Sequence, residues 1–172
     1  VEQVLSRDPL AQVLVLVPEI GLTPQTVARF KFRFHCDVAL LHSGLNDSKR
    51  LQAWQHAQTG KASIVIGTRS AIYTPLPHLG LIILDEEHDL SYKQQEGFRY
   101  HARDVALYRG HLQQCPVILG SATPSIDSYH LVESGKLHLL ELNQRAGVAS
   151  LPKMHVIDLK VAKKQHGISQ PL

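Results

Sequence analysis

The run Leu81-Ile82-Ile83-Leu84-Asp85-Glu86-Glu87-His88 decides how the chain is read: aliphatic residues without alternation end abruptly in carboxylates and an imidazole. An unbroken aliphatic run of this length suits a strand buried on both faces, as in a parallel sheet covered by helices. Gly80 before it and the acids after it mark its ends. Ligands of open α/β sheets lie beyond the carboxyl ends of the strands. Asp85 and Glu86 therefore stand where chemistry is expected.

The same pattern recurs on both sides. Val13-Leu14-Val15-Leu16-Val17, stopped by Pro18, reads as a fully buried strand, and a short helical stretch ended by Asp8-Pro9 precedes it. Thr23-Pro24 supplies an N-cap and a proline at the first helical position, and Val27, Phe30 and Phe34 give that helix one apolar face to about His35. Val38 to Leu41 is a further strand, and Asn46-Asp47 caps a helix through Leu51 and Trp54 that Gly60 closes, with Trp54 read as core. Ser63-Ile64-Val65-Ile66 is the next strand, followed by a loop marked by Pro75 and Pro77.

Downstream, Tyr92 to His101 lacks a period and carries a central Gly97, which predicts a loop, and a helix follows from about Ala102 to His111. Pro116 to Leu119 reads as a fifth buried strand, then comes a helix to about Gly135, Leu137 to Leu142 as a sixth strand, and a weak strand-like run at His155 to Leu159. Strands alternating with helices at this spacing define an α/β fold with a mostly parallel, doubly covered sheet.

Composition narrows the function classes. The 172 residues carry a net charge of +3, too mild to establish nucleic-acid binding and no obstacle to it. Cys36 and Cys115 form no CxxC pair, so neither a zinc cluster nor a disulfide framework is indicated. The 11 histidines include no HExxH pattern, which sets a histidine metal centre aside. No apolar run approaches the ~20 residues of a membrane span, and the first residues lack signal-peptide character. A cytoplasmic setting without a membrane partner is the expectation.

The ends of three strands carry small polar or acidic groups: Gly67-Thr68-Arg69-Ser70, Asp85-Glu86-Glu87-His88 and Gly120-Ser121-Ala122-Thr123-Pro124. Any one alone reads equally as a turn or cap, since these residue types bond locally to the backbone. For Asp85-Glu86 the bland reading is a carboxylate pair at the start of a helix. The chemical reading is a pair of acids of the kind phosphoryl-transfer ATPases use, one for Mg²⁺ and one for the attacking water.

Together these motifs resemble superfamily 2 helicases: the acids are similar to the DExH box, the Gly120 run to motif III and the Gly67 run to motif Ib. Three further stretches narrow the resemblance to the PriA-type primosomal replication-restart DNA helicases. They are Val17 to Gln25, His42-Ser43-Gly44-Leu45, and Ser91 to Asp104. The resemblance covers about Val13 to Gly147 and implies a RecA-like, three-layer α/β/α helicase lobe.

It also implies roles. Asp85 would hold Mg²⁺ through water and Glu86 would serve the catalytic water, while His88, Ser121 and Thr123 would couple nucleotide state to strand movement. Pro18, Thr23, Gln25, Thr68 and Arg69 would contact the DNA backbone, although Thr23 reads equally as a plain N-cap. The family's aromatic-rich loop falls at Tyr92 to Asp104. There Phe98 and Tyr100 suit base stacking and Lys93, Arg99 and Arg103 suit phosphates, the alternative being core rings and a solvated basic face.

A departure accompanies the match: no GxxxxGK[ST] loop occurs, since Gly60-Lys61 runs into Ala62 and Gly135-Lys136 into Leu137. The expectation is residues 1–147 as a helicase lobe without that loop, cut before its first strand, and 148–172 as a connector toward a second lobe. An open sheet edge beside the absent strand would favour self-association.

The parent would be an ATP- and Mg²⁺-dependent 3′-to-5′ helicase acting on forked or single-stranded DNA at stalled forks. In that family the partners are other primosome proteins and single-stranded DNA-binding protein, and the zinc sites lie outside this stretch. The residues alone would be inactive. The alternatives are a weak DNA- or protein-binding module, or another superfamily 2 translocase.

Overall fold

The computed structural model describes residues 1–18 and 24–143, with the backbone of 164–165 and 168–169. Helix α1 (Glu2–Arg7) leads into β1 (Gln12–Leu16), α2 (Pro24–Phe34), β2 (Val38–Leu41), α3 (Asp47–Gln58) and β3 (Ile64–Gly67). A 3₁₀ turn at Arg69–Tyr73 precedes β4 (Leu79–Leu84), and a second at Leu90–Tyr92 precedes the short strands β5 (Lys93–Gln94) and β6 (Tyr100–His101). Then follow α4 (Ala102–Gln113), β7 (Val117–Leu119) and α5 (Ile126–Glu133).

Five strands form one all-parallel sheet in the order β2-β3-β1-β4-β7. This is the expected RecA-like α/β arrangement, and it brings all the strands' carboxyl ends to one edge. Burial explains why the aliphatic runs take these places. Leu14 and Leu16 of β1 join Val65, Ile82 and Leu84 on one face with α3, α4 and the first 3₁₀ turn. Val13, Val15 and Val17 join Ile64, Ile66 and Leu81 on the other, against Val4 and Leu5 of α1 and Phe30 and Phe34 of α2. Each such side chain, fully buried, contributes about 1.5–3 kcal/mol. Asn46 caps α3 by accepting from the Lys49 amide at 2.9 Å, as the sequence implies.

Several expectations are corrected. Tyr92 to His101 is a loop only at its tip: β5 and β6 pair antiparallel, Lys93 with His101 and Gln94 with Tyr100. Val117 to Leu119 is a strand but not a buried one, because it takes the sheet's edge and leaves Ile118 51% exposed. Leu137 to Leu142 forms no strand, and Leu140 and Leu142 are exposed. Trp54 is 38% exposed beside an exposed Leu51, so it lies at the rim of its helix and not in the core. His155 to Leu159 lies outside the described residues.

Val1–Leu137 form one compact unit and His138–Leu172 another. In the latter, β8 (Lys164–Gln165) pairs antiparallel with β9 (Ile168–Ser169).

Candidate functional site

The acids stand at the carboxyl end of β4, the strand between β1 and the edge strand β7. Asp85 is exposed, its amide donates to the Leu16 carbonyl at 2.9 Å, and its Oδ1 accepts the Glu86 amide at 3.2 Å. Glu86 takes φ 49°, the left-handed region that a non-glycine residue occupies at a cost. Such strain collects at functional sites because the surrounding structure must hold it in place. Gly120, at the end of β7, lies beside this carboxylate: a Cβ built on it would stand 3.7 Å from Asp85 Oδ1, an ordinary contact distance.

His88 ties the acids to the end of β7. Its Nδ1 lies 3.6 Å from Glu86 Oε2 and 2.6 Å from Ser121 Oγ, and the tautomer decides which atom donates in the second contact. Ser121 Oγ also accepts the Thr123 amide at 2.9 Å. The structure thus joins Glu86, His88, Ser121 and Thr123 in one line of contacts between two strand ends.

Glu87, to which the sequence reading gave no role, is the buried member of the acid run at 2% exposure. Its carboxylate accepts from the Ser125 amide at 2.7 Å, the Ser125 hydroxyl at 3.1 Å and the Ser128 hydroxyl at 2.8 Å, and lies 3.7 Å from Arg103 Nη1. Burial pushes its pKa up, but these hydrogen bonds and the Arg103 charge outweigh burial and hold it below its ordinary value.

Arg103 is the clearest correction among the site residues. The sequence gives it to phosphate, yet it is 5% exposed and bonds Asp104 at 3.0 Å, Ser125 at 2.9 Å and Asp127 at 3.4 Å. A guanidinium so enclosed by acids is structural, and it leaves the candidate DNA set. Asp104 beside it hints at a pair, but Asp127 and Ser125 lie too far along the chain for spacing to reveal them.

A second region lies at the carboxyl ends of β2 and β3. Ser43, Thr68, Arg69, Ser91, Phe98 and Tyr100 are among the residues lining a cleft of about 590 Å³. Arg69 Nη1 donates to the Ser91 and Lys93 carbonyls at 2.9 and 3.0 Å, holding the hairpin against the β3 end. Phe98 is 80% exposed, Arg99 and Lys93 are exposed, and Tyr100 is half-buried. The core alternative for Phe98 is thereby removed. Thr68 is 7% exposed and Pro18 is buried at the end of β1, whereas Gln25 is exposed on the first turn of α2. Thr23 lies outside the described residues.

The two regions are physically joined. Tyr92, with no exposed surface, donates its hydroxyl to the Asp85 carbonyl at 2.7 Å, and burial followed by the Asp85, Asp89 and Glu86 charges raises its pKa. One foot of the hairpin therefore stands on Asp85 through Tyr92, and the other on Glu87 through Arg103.

The acid run thus stands at one strand end of a parallel α/β sheet and is joined by side-chain contacts to the end of the neighbouring strand β7. Residues 1–132 match the sequence profile of the DEAD/DEAH box helicases, and the chain belongs to that family. It is 52% identical over its whole length to replication restart protein PriA of Haemophilus influenzae. It is 54% identical over 89% of its length to PriA of Synechocystis sp., and 44% over 93% to that of Bacillus subtilis. It covers 23%, 19% and 20% of those relatives, about a fifth of their length. The solved structure of RecG bound to a three-way DNA junction overlays with a TM-score of 0.49 at 25% identity, covering 73% of this chain and 16% of that one. The fold class rests on the strand order itself. Among the described residues no helix is long and apolar enough to cross a membrane.

Proposed function

We propose that these residues form the acid-bearing part of an ATP-driven 3′-to-5′ DNA helicase that restarts stalled replication forks and assembles the primosome. The observation that carries this reading is the line of contacts from Glu86 through His88 to Ser121, beside a hairpin that stands on Asp85 and Glu87. In it Asp85 would hold Mg²⁺ and Glu86 would orient or deprotonate the water that attacks ATP. Both are hard oxygen donors, and the described residues contain no cluster of three or more His, Cys, Asp or Glu that could hold a metal. An ion here would rest on one or two carboxylates together with phosphate oxygens, as Mg²⁺ does. Bound Mg²⁺ would neutralise charge developing on the transferred phosphoryl group.

His88, Ser121 and Thr123 pass changes at the acids to the neighbouring strand end. Phe98, Arg99, Tyr100, Lys93, Thr68 and Arg69 receive single-stranded or forked DNA, together with Pro18, Thr23 and Gln25. Residues 1–147 would be the lobe and 148–172 the connector, working in the cytoplasm with primosome proteins and single-stranded DNA-binding protein.

The 172 residues contain no GxxxxGK[ST] run, so the cradle for the β- and γ-phosphates is not among them. The purified chain is expected to bind a forked oligonucleotide with affinity that falls as salt rises, and to release no phosphate from ATP. With two or three cations on phosphates the log–log salt slope should be about −2. Arg99→Ala should weaken binding and flatten the slope. Salt-independent binding, or none, would overturn the DNA assignment, and DNA-stimulated phosphate release would overturn the expectation that these residues alone hydrolyse no ATP. A narrower reading, a binding module alone, is favoured by the exposure of Phe98. It shares the binding result and predicts that Glu86→Gln has no effect on ATP hydrolysis in a longer protein carrying these residues.

A further inference from the structure

The hairpin's rings do not stand alone. Tyr100 packs edge-on against Tyr73 with centroids 5.1 Å apart and an interplanar angle of 71°, and Phe98 lies 6.2 Å from Tyr100 on its other contact. Tyr73, Tyr100 and Phe98 are thus one row of rings contributed by two separate segments. Tyr73 ends the 3₁₀ turn Arg69–Tyr73, whose Ala71 and Ile72 are buried while Tyr73 itself is 46% exposed. The turn supplies its apolar anchors to the core and leaves the ring outside. It is also pinned from α4, where Arg109 Nη1 donates to the Ile72 carbonyl at 2.6 Å. The Tyr73 ring is therefore carried on a fixed base.

We propose that Tyr73 is a third stacking residue of the strand-binding surface, taking an unpaired base of single-stranded DNA on its exposed face. Every base offers a π-face, so a row of exposed rings flanked by cations suits a single strand without regard to sequence. The charges agree. Arg69 stands at the start of the same turn, and Lys93 and Arg99 flank the rings on the hairpin with no ion pair among the described residues. Among the described residues Glu96 is the one carboxylate lining the adjacent cleft. Burial, and then the neighbouring Tyr100, raises the Tyr73 phenol above its ordinary value, so the ring brings no negative charge near the phosphates.

This inference rests on the reading of the hairpin as a DNA-binding element, and the test separates the two. Binding of fluorescein-labelled oligothymidylate to the chain is measured by anisotropy for the unchanged protein, Tyr73→Leu, Tyr73→Phe and Phe98→Leu. Leucine keeps an apolar contact for Tyr100 but has no π-face. Tyr73→Leu is expected to weaken binding about tenfold, with Tyr73→Phe within about twofold, the size of one lost base stack. If Phe98→Leu weakens binding and Tyr73→Leu does not, the Tyr73 proposal fails alone. If neither matters, the hairpin reading fails with it. A direct readout needs no variant: an oligothymidylate carrying 5-iododeoxyuridine is irradiated on the unchanged protein and the adducts are mapped. Adducts on the peptide containing Tyr73 support the proposal. Adducts confined to the hairpin overturn it, and would reduce Tyr73 to a support for Tyr100.

Discussion

Glu87 and its neighbours show what a run of consecutive acids conceals. Asp85 and Glu86 are exposed and Glu87 is buried, and the change of direction occurs at Glu86, whose φ of 49° costs about 1–2 kcal/mol for a non-glycine residue. Composition and spacing cannot say which acid of a run turns inward, so the sequence marked the outer pair and missed the inner one. The consequence is testable through pH. The Glu87 pKa is held below its ordinary 4.5 in the folded chain, so its contribution to stability is present above that value and is lost as pH falls below it. Glu87→Gln should lower the urea-unfolding free energy at pH 7 by about 2 kcal/mol, because the Ser125 and Ser128 donors lose a charged acceptor while Arg103 keeps Asp104 and Asp127. It should also flatten the loss of stability on acidification, leaving the part that belongs to Asp89, whose pKa is likewise lowered, chiefly by its hydrogen bonds to Ser91. An acid limb as steep as that of the unchanged chain would remove Glu87 from it.

At the level of the element, the sequence of the β5–β6 hairpin carries only the signature of a loop, and the reason is its length. Two-residue strands offer no alternation to detect, and Gly97, at φ 66°, marks the tip but not the ladder. The chemistry-bearing residues on it were legible, since aromatics interleaved with arginines carry their own signal. Their supports were not: Tyr92, Arg69 and Arg103 act on partners that only the folded chain brings near. The Tyr92 bond to the Asp85 carbonyl is the support that one atom can remove. Tyr92→Phe keeps the ring in its buried place and should cost about 1–2 kcal/mol in urea unfolding, because the carbonyl is left without its donor. Amides of residues 93–101 should exchange faster, while those of β1 and β3 keep their protection. Unchanged exchange in the hairpin would show that Arg69 and Arg103 alone hold it.

For the molecule as a whole, the central strands were legible and the order of the strands was not. β1, β3 and β4 announce burial on both faces by unbroken aliphatic runs, and Leu14, Val65 and Ile82 have no exposed surface. Val117 to Leu119 carries the same composition, yet it pairs with β4 on one side only, with Ile118 beside Ile83. Nothing within a strand records whether a second neighbour exists, so an edge and a centre strand read alike. Among the described residues the structural result is an apolar edge strand with no second partner strand, the arrangement natural sheets usually blunt with charge. In the described structure this edge is a template for pairing with another chain. Sedimentation velocity of the 172-residue chain should therefore show association that grows with protein concentration. Ile118→Lys, which sets a charge on the exposed face of the edge strand, should keep the chain monomeric over the same range. Its stability should stay within about 0.5 kcal/mol, as for most exposed positions. Association unaltered by the lysine would place the contact elsewhere, and a monomer in both chains would mean that this edge does not recruit a partner strand.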